Sequence, residues 1–242
     1  MSLSINEQNK CGRTFFAHYI YELILDAVFP HKCVCGKWGV LLCDECRAVI
    51  RVDKTGLCPV CKRISDYGRT CPACRHKSDL TGVMILGPHK DVLKALIWKF
   101  KYKYVVDIGH PLAELVCARF GNFLRDKRFL ISYSPISREH LNKRGYNQAE
   151  ILAKNISDKL GLKCEKLLSK SNHVDSQVGH SRAERLRNMK GKIGYIGPIE
   201  ITNHKVLIVD DVYTTGATLE ECAKVLRAAG YREVWGLVLS RD

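Results

Sequence analysis

The stretch Lys205-Val206-Leu207-Ile208-Val209-Asp210-Asp211-Val212-Tyr213-Thr214-Thr215-Gly216-Ala217-Thr218 decides how this chain folds. Val206 to Val209 read as a buried strand that ends in two adjacent carboxylates, followed by a short loop of hydroxyls and glycine and a helix from near Thr218. Thr218-Leu219-Glu220-Glu221 has capping-box spacing, and Leu219, Cys222, Ala223, Leu226 and Ala229 keep helical period until Gly230, where the helix is expected to stop. The first amides of such a helix lack intrahelical partners and lie at the positive end of its dipole, so with Thr214, Thr215 and Thr218 they suit a phosphate dianion. Asp210 and Asp211, when ionised, only accept hydrogen bonds and therefore match the vicinal hydroxyls of a ribose. One loop, running through Gly216 and Ala217, thus has the chemistry to hold both ends of a ribose phosphate.

Other readings of the stretch fit less well. A receiver domain of two-component signalling carries its acidic pair on the first strand and needs a further Asp two strands on, whereas only about one more β-unit follows here. A Walker A loop would need Gly-Lys-Ser/Thr opening the helix, and that is absent. The hydrophobic-Asp-Asp-x-x-Thr-Thr-Gly-x-Thr form resembles the activated-ribose loop of the type I phosphoribosyltransferases. That resemblance implies a site for phosphoribosyl pyrophosphate and is silent about the acceptor.

Outward from the loop, the 242 residues suffice for one α/β domain and a smaller module, and an apolar fraction of 46% is ordinary for a globular core. A formal charge of +14 points to anionic partners, either nucleic acid or the phosphates of a substrate, although the cations are spread along the chain. The sequence shows neither an apolar run of membrane-spanning length nor an export signal, which predicts a soluble, cytoplasmic protein. Phe15, Tyr19, Ile20, Leu23, Ile24, Ala27 and Val28 predict an amphipathic helix within residues 1–30.

Eight of the twelve cysteines fall between Cys33 and Cys74, as Cys33-x-Cys35, Cys43-x-x-Cys46, Cys58-x-x-Cys61 and Cys71-x-x-Cys74. Each knuckle presents two thiolates from one tight turn, so four knuckles complete two closed tetrahedral zinc sites with no position left for catalysis. Sequential pairing groups Cys33, Cys35, Cys43 and Cys46 for one ion and Cys58, Cys61, Cys71 and Cys74 for the other. A crossed pairing, or His31 in place of a displaced Cys33, stays open because the first knuckle is one residue short. A module of this size (residues 31–79) has little core and is expected to depend on its metal. Disulfides fit a reducing compartment poorly. Cys117, Cys164 and Cys222 lie in apolar or helical runs and read as core residues.

In the remaining residues, 80–242, Val83-Met84-Ile85-Leu86 predicts a strand, and Val92, Leu93, Leu96, Ile97 and Phe100 one face of a helix. Lys99, Lys101 and Lys103 then alternate with Phe100, Tyr102 and Tyr104, a pattern that suits single-stranded nucleic acid or the wall of a substrate cleft. A helix is expected over 111–124 and a strand over 129–136. The segment Ser137 to Gln148, with Arg138, Lys143, Arg144 and Gly145, reads as a strand-to-helix loop fit for pyrophosphate, its glycine allowing close backbone approach. Gln177 to Asn188, with Arg182, Arg185 and Arg187, repeats the basic theme and could close as a lid that excludes water.

Arg144-Gly145-Tyr146-Asn147-Gln148-Ala149-Glu150, Gly179-His180-Ser181-Arg182-Ala183-Glu184-Arg185 with Arg187-Asn188, the 210–218 loop and the cysteine module together resemble the ComF competence family from about Phe29 onward. Tyr133-Ser134-Pro135 departs from the family's Pro-x-Pro, and Cys33-x-Cys35 from its Cys-x-x-Cys. The resemblance implies a double-zinc module before a type I phosphoribosyltransferase-like α/β domain, a parallel sheet with flanking helices, and a role in handling single-stranded DNA during natural transformation. On that reading Asp210 and Asp211 hold the ribose hydroxyls or their Mg2+, Thr214 to Thr218 the terminal phosphate, and Arg144 with Arg182, Arg185 and Arg187 the pyrophosphate. The protein would then be a phosphoribosyltransferase with an unknown acceptor. The alternative is a non-catalytic scaffold that binds single-stranded DNA or docks a DNA-uptake helicase or strand-binding protein.

Overall fold

The computed structural model describes residues 31–53, 55–103, 105–170, 192–198 and 205–241. The helix expected within residues 1–30 lies outside them, as does Tyr104. The chain divides into two compact units, Met1–Val49 and Ile50–Asp242.

The described part of the first unit is a small cysteine turn followed by α1, Asp44–Val49. The Cys33 amide donates to the Lys37 carbonyl at 2.9 Å, and Gly36, at φ +100°, supplies the left-handed residue that lets so short a turn close. Lys37 pairs with Glu45 at 3.2 Å on the surface.

The second unit opens with a two-stranded antiparallel ribbon, β1 (Gly56–Leu57) and β2 (Ile64–Ser65), and two 3-10 turns at Asp66–Gly68 and Pro72–Lys77. After these come β3 (Gly82–Pro88), α2 (Asp91–Tyr102), α3 (Gly109–Lys127), β4 (Leu130–Tyr133), α4 (Arg138–Arg144) and α5 (Gln148–Leu160). The chain then forms β5 (Leu168–Lys170), β6 (Ile193–Tyr195), β7 (Lys205–Tyr213), α6 (Ala217–Ala228) and β8 (Glu233–Arg241). Four strands make one parallel sheet in the order β3-β8-β7-β4, and β5 pairs antiparallel with β6 beside it.

A parallel sheet is covered on both faces, and β8 shows it: every residue from Val234 to Ser240 is buried. On one face Val206, Ile208, Val234 and Val238 pack with Leu219, Cys222, Ala223 and Leu226 of α6 and with Leu168 and Ile193. The alternate residues of the strands, Leu207, Val209, Trp235 and Leu237, are equally buried. Trp235 there meets Phe123 of α3 edge to face at 5.3 Å. Of the isolated cysteines, Cys222 is a core residue, while Cys117 and Cys164 are half-buried.

Three local expectations change. The segment 137–148 is mostly helical, because Ser137 caps α4 by accepting from the His140 amide and Gly145, at φ +72°, ends it. A Cβ on Gly145 would meet nothing within 4 Å, so this glycine serves the left-handed cap and not a close approach. α6 begins at Ala217 with Gly216 (φ +79°) as its N-cap, and the capping box at Thr218 does not form. Glu220, beside the Glu221 that such a box would use, accepts from Ser78 Oγ at 2.9 Å and from the Asp79 amide at 2.6 Å. The strand through 206–209 also runs on to Tyr213, paired with Arg241, so the two carboxylates lie within it.

Candidate functional site

A cavity of about 930 Å³ opens at the carboxyl ends of the parallel strands, the edge where ligands sit in open α/β sheets. Its wall takes His89 from beyond β3, Ser134 to Ser137 from beyond β4, and Asp210, Asp211, Val212, Thr214 and Thr218 from β7 and the start of α6. Arg144 and Lys170 complete it from two further segments.

Successive strand residues face opposite sides, and that separates the two carboxylates. Asp211 pairs with Lys101 of α2 at 2.8 Å. Asp210 accepts from the Asp211 amide at 2.9 Å and lies in the field of Lys170 on β5. Burial pushes Asp210 up to about 6, and the Asp211 charge adds to this against a hydrogen bond from Ser134. Burial likewise pulls Lys170 below its ordinary value, with Asp210 opposing the shift. Neither Lys101 as the partner of Asp211 nor Lys170 has a local sequence signal, because both pairings are made across the fold.

The Arg144 to Gln148 run is a set of anchors around one half-buried cation. Tyr146 Oη donates to the Phe100 carbonyl at the end of α2, and Gln148 Nε2 reaches the same oxygen at 3.5 Å. Asn147 donates to the Ser134 carbonyl at 3.0 Å while its Oδ1 caps α5 through the Ala149 amide. Arg144 itself bonds Gln148 Oε1 at 3.3 Å, lies over the Tyr102 ring and faces the cavity. Arg138 and Lys143 do not line it, and Lys143 pairs with Glu139 at 2.7 Å.

In the loop after β7, Thr214 and Thr218 line the cavity, while Thr215 Oγ1 accepts from the Ala217 amide at 3.3 Å. Gly216 admits no side chain, since its φ is +79° and a Cβ would sit 2.4 Å from Tyr213 Oη. Arg182, Arg185 and Arg187 lie outside the described residues.

The cysteines gather as Cys33, Cys35, Cys43 and Cys46 and as Cys58, Cys61, Cys71 and Cys74, each set with its sulfurs within 4.8 Å of one another. This is the sequential pairing, with Cys33 and not His31 as a member. A tetrahedron with a metal–sulfur bond of about 2.3 Å has an edge of about 3.8 Å. Observed sulfur separations are 3.7 Å for Cys33 and Cys43, 3.6 Å for Cys35 and Cys43, and 3.7 Å for Cys61 and Cys71. Both sets can therefore hold a structural metal ion. Burial alone would push Cys58 up, but amide hydrogens at Cys61, Cys71 and Val60 bring it down to about 6, toward the thiolate that a metal requires.

The phosphoribosyl transferase domain family matches residues 146–240. Among curated proteins, the chain is similar to competence protein F of Haemophilus influenzae, 28% identical over 218 residues that cover 81% of this chain and 95% of the relative. DNA utilization protein YhgH of Escherichia coli is 28% identical over 84% of this chain and 91% of its own length. Competence protein ComFC of Bacillus subtilis is 22% identical over 78% and 79%. No described helix is long and apolar enough to cross a membrane.

The raised Asp210 carboxyl carries a stability cost with a defined sign. Above about pH 6 the fold must hold an anion in a site that disfavours it, and below 3.8 both folded and unfolded chains are protonated and the cost is gone. Asp210→Asn is expected to stabilise the protein at pH 8 by on the order of 1 kcal/mol and to give no gain near pH 3.5, read as denaturation midpoints at the two pH values.

Proposed function

We propose, from the premise that this chain belongs to the ComF competence family, that the cavity binds phosphoribosyl pyrophosphate and that the protein handles incoming DNA during natural transformation. The observation that carries the ligand assignment is the convergence of Asp210, Asp211, Thr214, Thr218 and Arg144 on one wall, although the chain brings them from segments far apart. Hydroxyl acceptors, a helix N-terminus and a guanidinium are the three kinds of group that a ribose, a terminal phosphate and a pyrophosphate require.

Asp210 and Asp211 take the ribose hydroxyls or the Mg2+ that accompanies the ligand, and that ion supplies charge neutralisation at the leaving group. Thr214, Thr215, Gly216, Ala217 and Thr218 hold the terminal phosphate with the first amides of α6. Arg144 offsets charge on the departing pyrophosphate. Departure of that group leaves positive character on the sugar, so leaving-group stabilisation and positioning matter more than a strong base. The acceptor is the open end of the reaction, and the assignment is to pentosyl transfer as a class.

A second reading is favoured by Trp98 and Tyr102. Both line the cavity, both are about half exposed, and they stand one helical turn apart with ring centroids 6.2 Å from each other. The Lys103 ammonium lies 5.2 Å over Trp98. Cations over exposed aromatics suit the bases and phosphates of a single strand, so transfer chemistry and strand binding can share this surface.

The two cysteine sets are assigned zinc, whose preference for four thiolates they match. Elemental analysis of the purified chain should return two zinc ions per chain, and Cys58→Ser should lower that to about one; a metal-free folded protein would overturn the assignment. Titration calorimetry with phosphoribosyl pyrophosphate and Mg2+ should give a binding isotherm that vanishes when Asp210 and Asp211 are both changed to Asn. Unchanged affinity in that double variant would remove the transferase reading. Binding of a labelled single-stranded oligonucleotide should weaken steeply with salt, and Trp98→Ala should weaken it by about fivefold or more, the loss of one stacked base. Salt-insensitive binding, or none, would exclude the strand-binding reading.

A further inference from the structure

Two separate stretches of the second cysteine module touch the segment that carries the phosphate loop. Lys62 follows Cys61 in the knuckle; its backbone turns left-handed at φ +63°, and its amide donates to the Cys58 carbonyl at 3.0 Å. This turn places the Lys62 ammonium 5.3 Å over the ring of Tyr213. Tyr213 is the last residue of β7, and its phenol folds back beneath the loop, so closely that a Cβ on Gly216 would collide with it. Cys58, Pro59 and Lys62 share a small cavity of about 300 Å³ with Tyr213 and Thr214.

The other stretch leaves the module after Cys74. It delivers Ser78 and Asp79, whose hydroxyl and amide both donate to Glu220 in the first turn of α6. Arg227, farther along the same helix, donates from Nε to the Asp79 carbonyl at 3.0 Å. The four thiols Cys58, Cys61, Cys71 and Cys74 thus hold the source of one grip, Lys62 at residue 213, and the stretch that leaves the last of them supplies the other at residue 220. The residues between those grips are the ones assigned to the terminal phosphate.

We infer that the second four-cysteine module is a clamp on the phosphate loop, with Lys62 and Glu220 as positioning residues, so that order in the module sets the loop's affinity for phosphoribosyl pyrophosphate. The ligand in this statement rests on the reading given under Proposed function; the contacts do not. A loop held in its binding conformation beforehand spares the ligand the cost of ordering it. A metal-held knuckle is the source of that order, because thiolate turns this short have no core of their own. Glu220, in the first turn of α6, accepts from Ser78 and Asp79 across the chain, and this ties helix entry to the module.

Lys62 is exposed, but its ammonium also donates to the Pro59 carbonyl within the knuckle at 2.7 Å, so metal content is the control that separates loss of the clamp from loss of the knuckle. Hydrogen exchange of the 213–220 amides and calorimetric affinity for phosphoribosyl pyrophosphate with Mg2+ are measured on the full-length protein, with metal content determined on the same samples. Lys62→Ala should keep its metal content, exchange about two- to fivefold faster over 213–220 and bind the ligand about two- to fivefold more weakly, the scale of one exposed cation–π contact. Lys62→Arg, which preserves the cation over the ring, should restore both. Unaltered exchange in Lys62→Ala with metal retained, or a failure of Lys62→Arg to rescue, overturns the clamp. If the wild-type protein does not bind the ligand, the transferase reading falls, and the exchange measurement still decides whether the clamp exists.

Discussion

Strand alternation at the end of β7 is the constraint on which the site depends. Asp210 and Asp211 are neighbours in sequence but belong to opposite faces; Lys101 from α2 pairs with Asp211 at 2.8 Å and its charge also reaches Asp210, while Lys170 from β5 lies in the field of Asp210. Two adjacent carboxylates in a partly buried position would otherwise repel strongly, and the upward shift of Asp210 is the residue of that repulsion added to burial. The arrangement keeps both groups at the cavity wall without a permanent bond between them and the loop that follows.

Position of the wall is fixed by backbone carbonyls more than by its charged groups. The Phe100 carbonyl receives both Tyr146 and Gln148, and the Ser134 carbonyl receives Asn147, so the end of α2, the end of β4 and the start of α5 are joined around Arg144. Buried polar atoms with satisfied partners specify one geometry, because each lost bond would leave an orphan in the interior. Within the run, one member reaches the cavity with a charge, and Tyr146, Asn147 and Gln148 hold it there.

The sequence read well wherever one element carried the whole signal. The apolar runs of β3 and β7, the period of α2, α3 and α6, and the four cysteine pairs are local patterns, and the fold uses them as written. What was not legible depends on contacts made across the chain. Thr218 and Glu221 had the right spacing for a capping box, but the helix already begins at Ala217 with Gly216 as its N-cap, and the neighbouring Glu220 bonds Ser78 and Asp79 across the chain. The 137–148 segment looked like a loop because it is polar throughout, and a seven-residue helix without a buried residue leaves no hydrophobic period to detect. Lys101 read as part of a cation–aromatic alternation, yet on a helix alternate residues diverge. Phe100 turns into the core, Lys101 to Asp211, and Tyr102 to solvent.

The net charge of the chain does not settle on the cavity wall. Some of the described surface charge is paired, as in Lys154 with Glu150 and Lys159 with Glu114. The wall itself sets Lys94, Lys101, Arg144 and Lys170 against Asp91, Asp210 and Asp211, nearly in balance. A ligand with several phosphate charges therefore cannot be neutralised by this wall alone, and two of the four lysine and arginine side chains already face carboxylates. The wall brings Asp210, Asp211 and Arg144 to one cavity, and the second cysteine module grips residues 213 and 220 on either side of the loop that leads into α6.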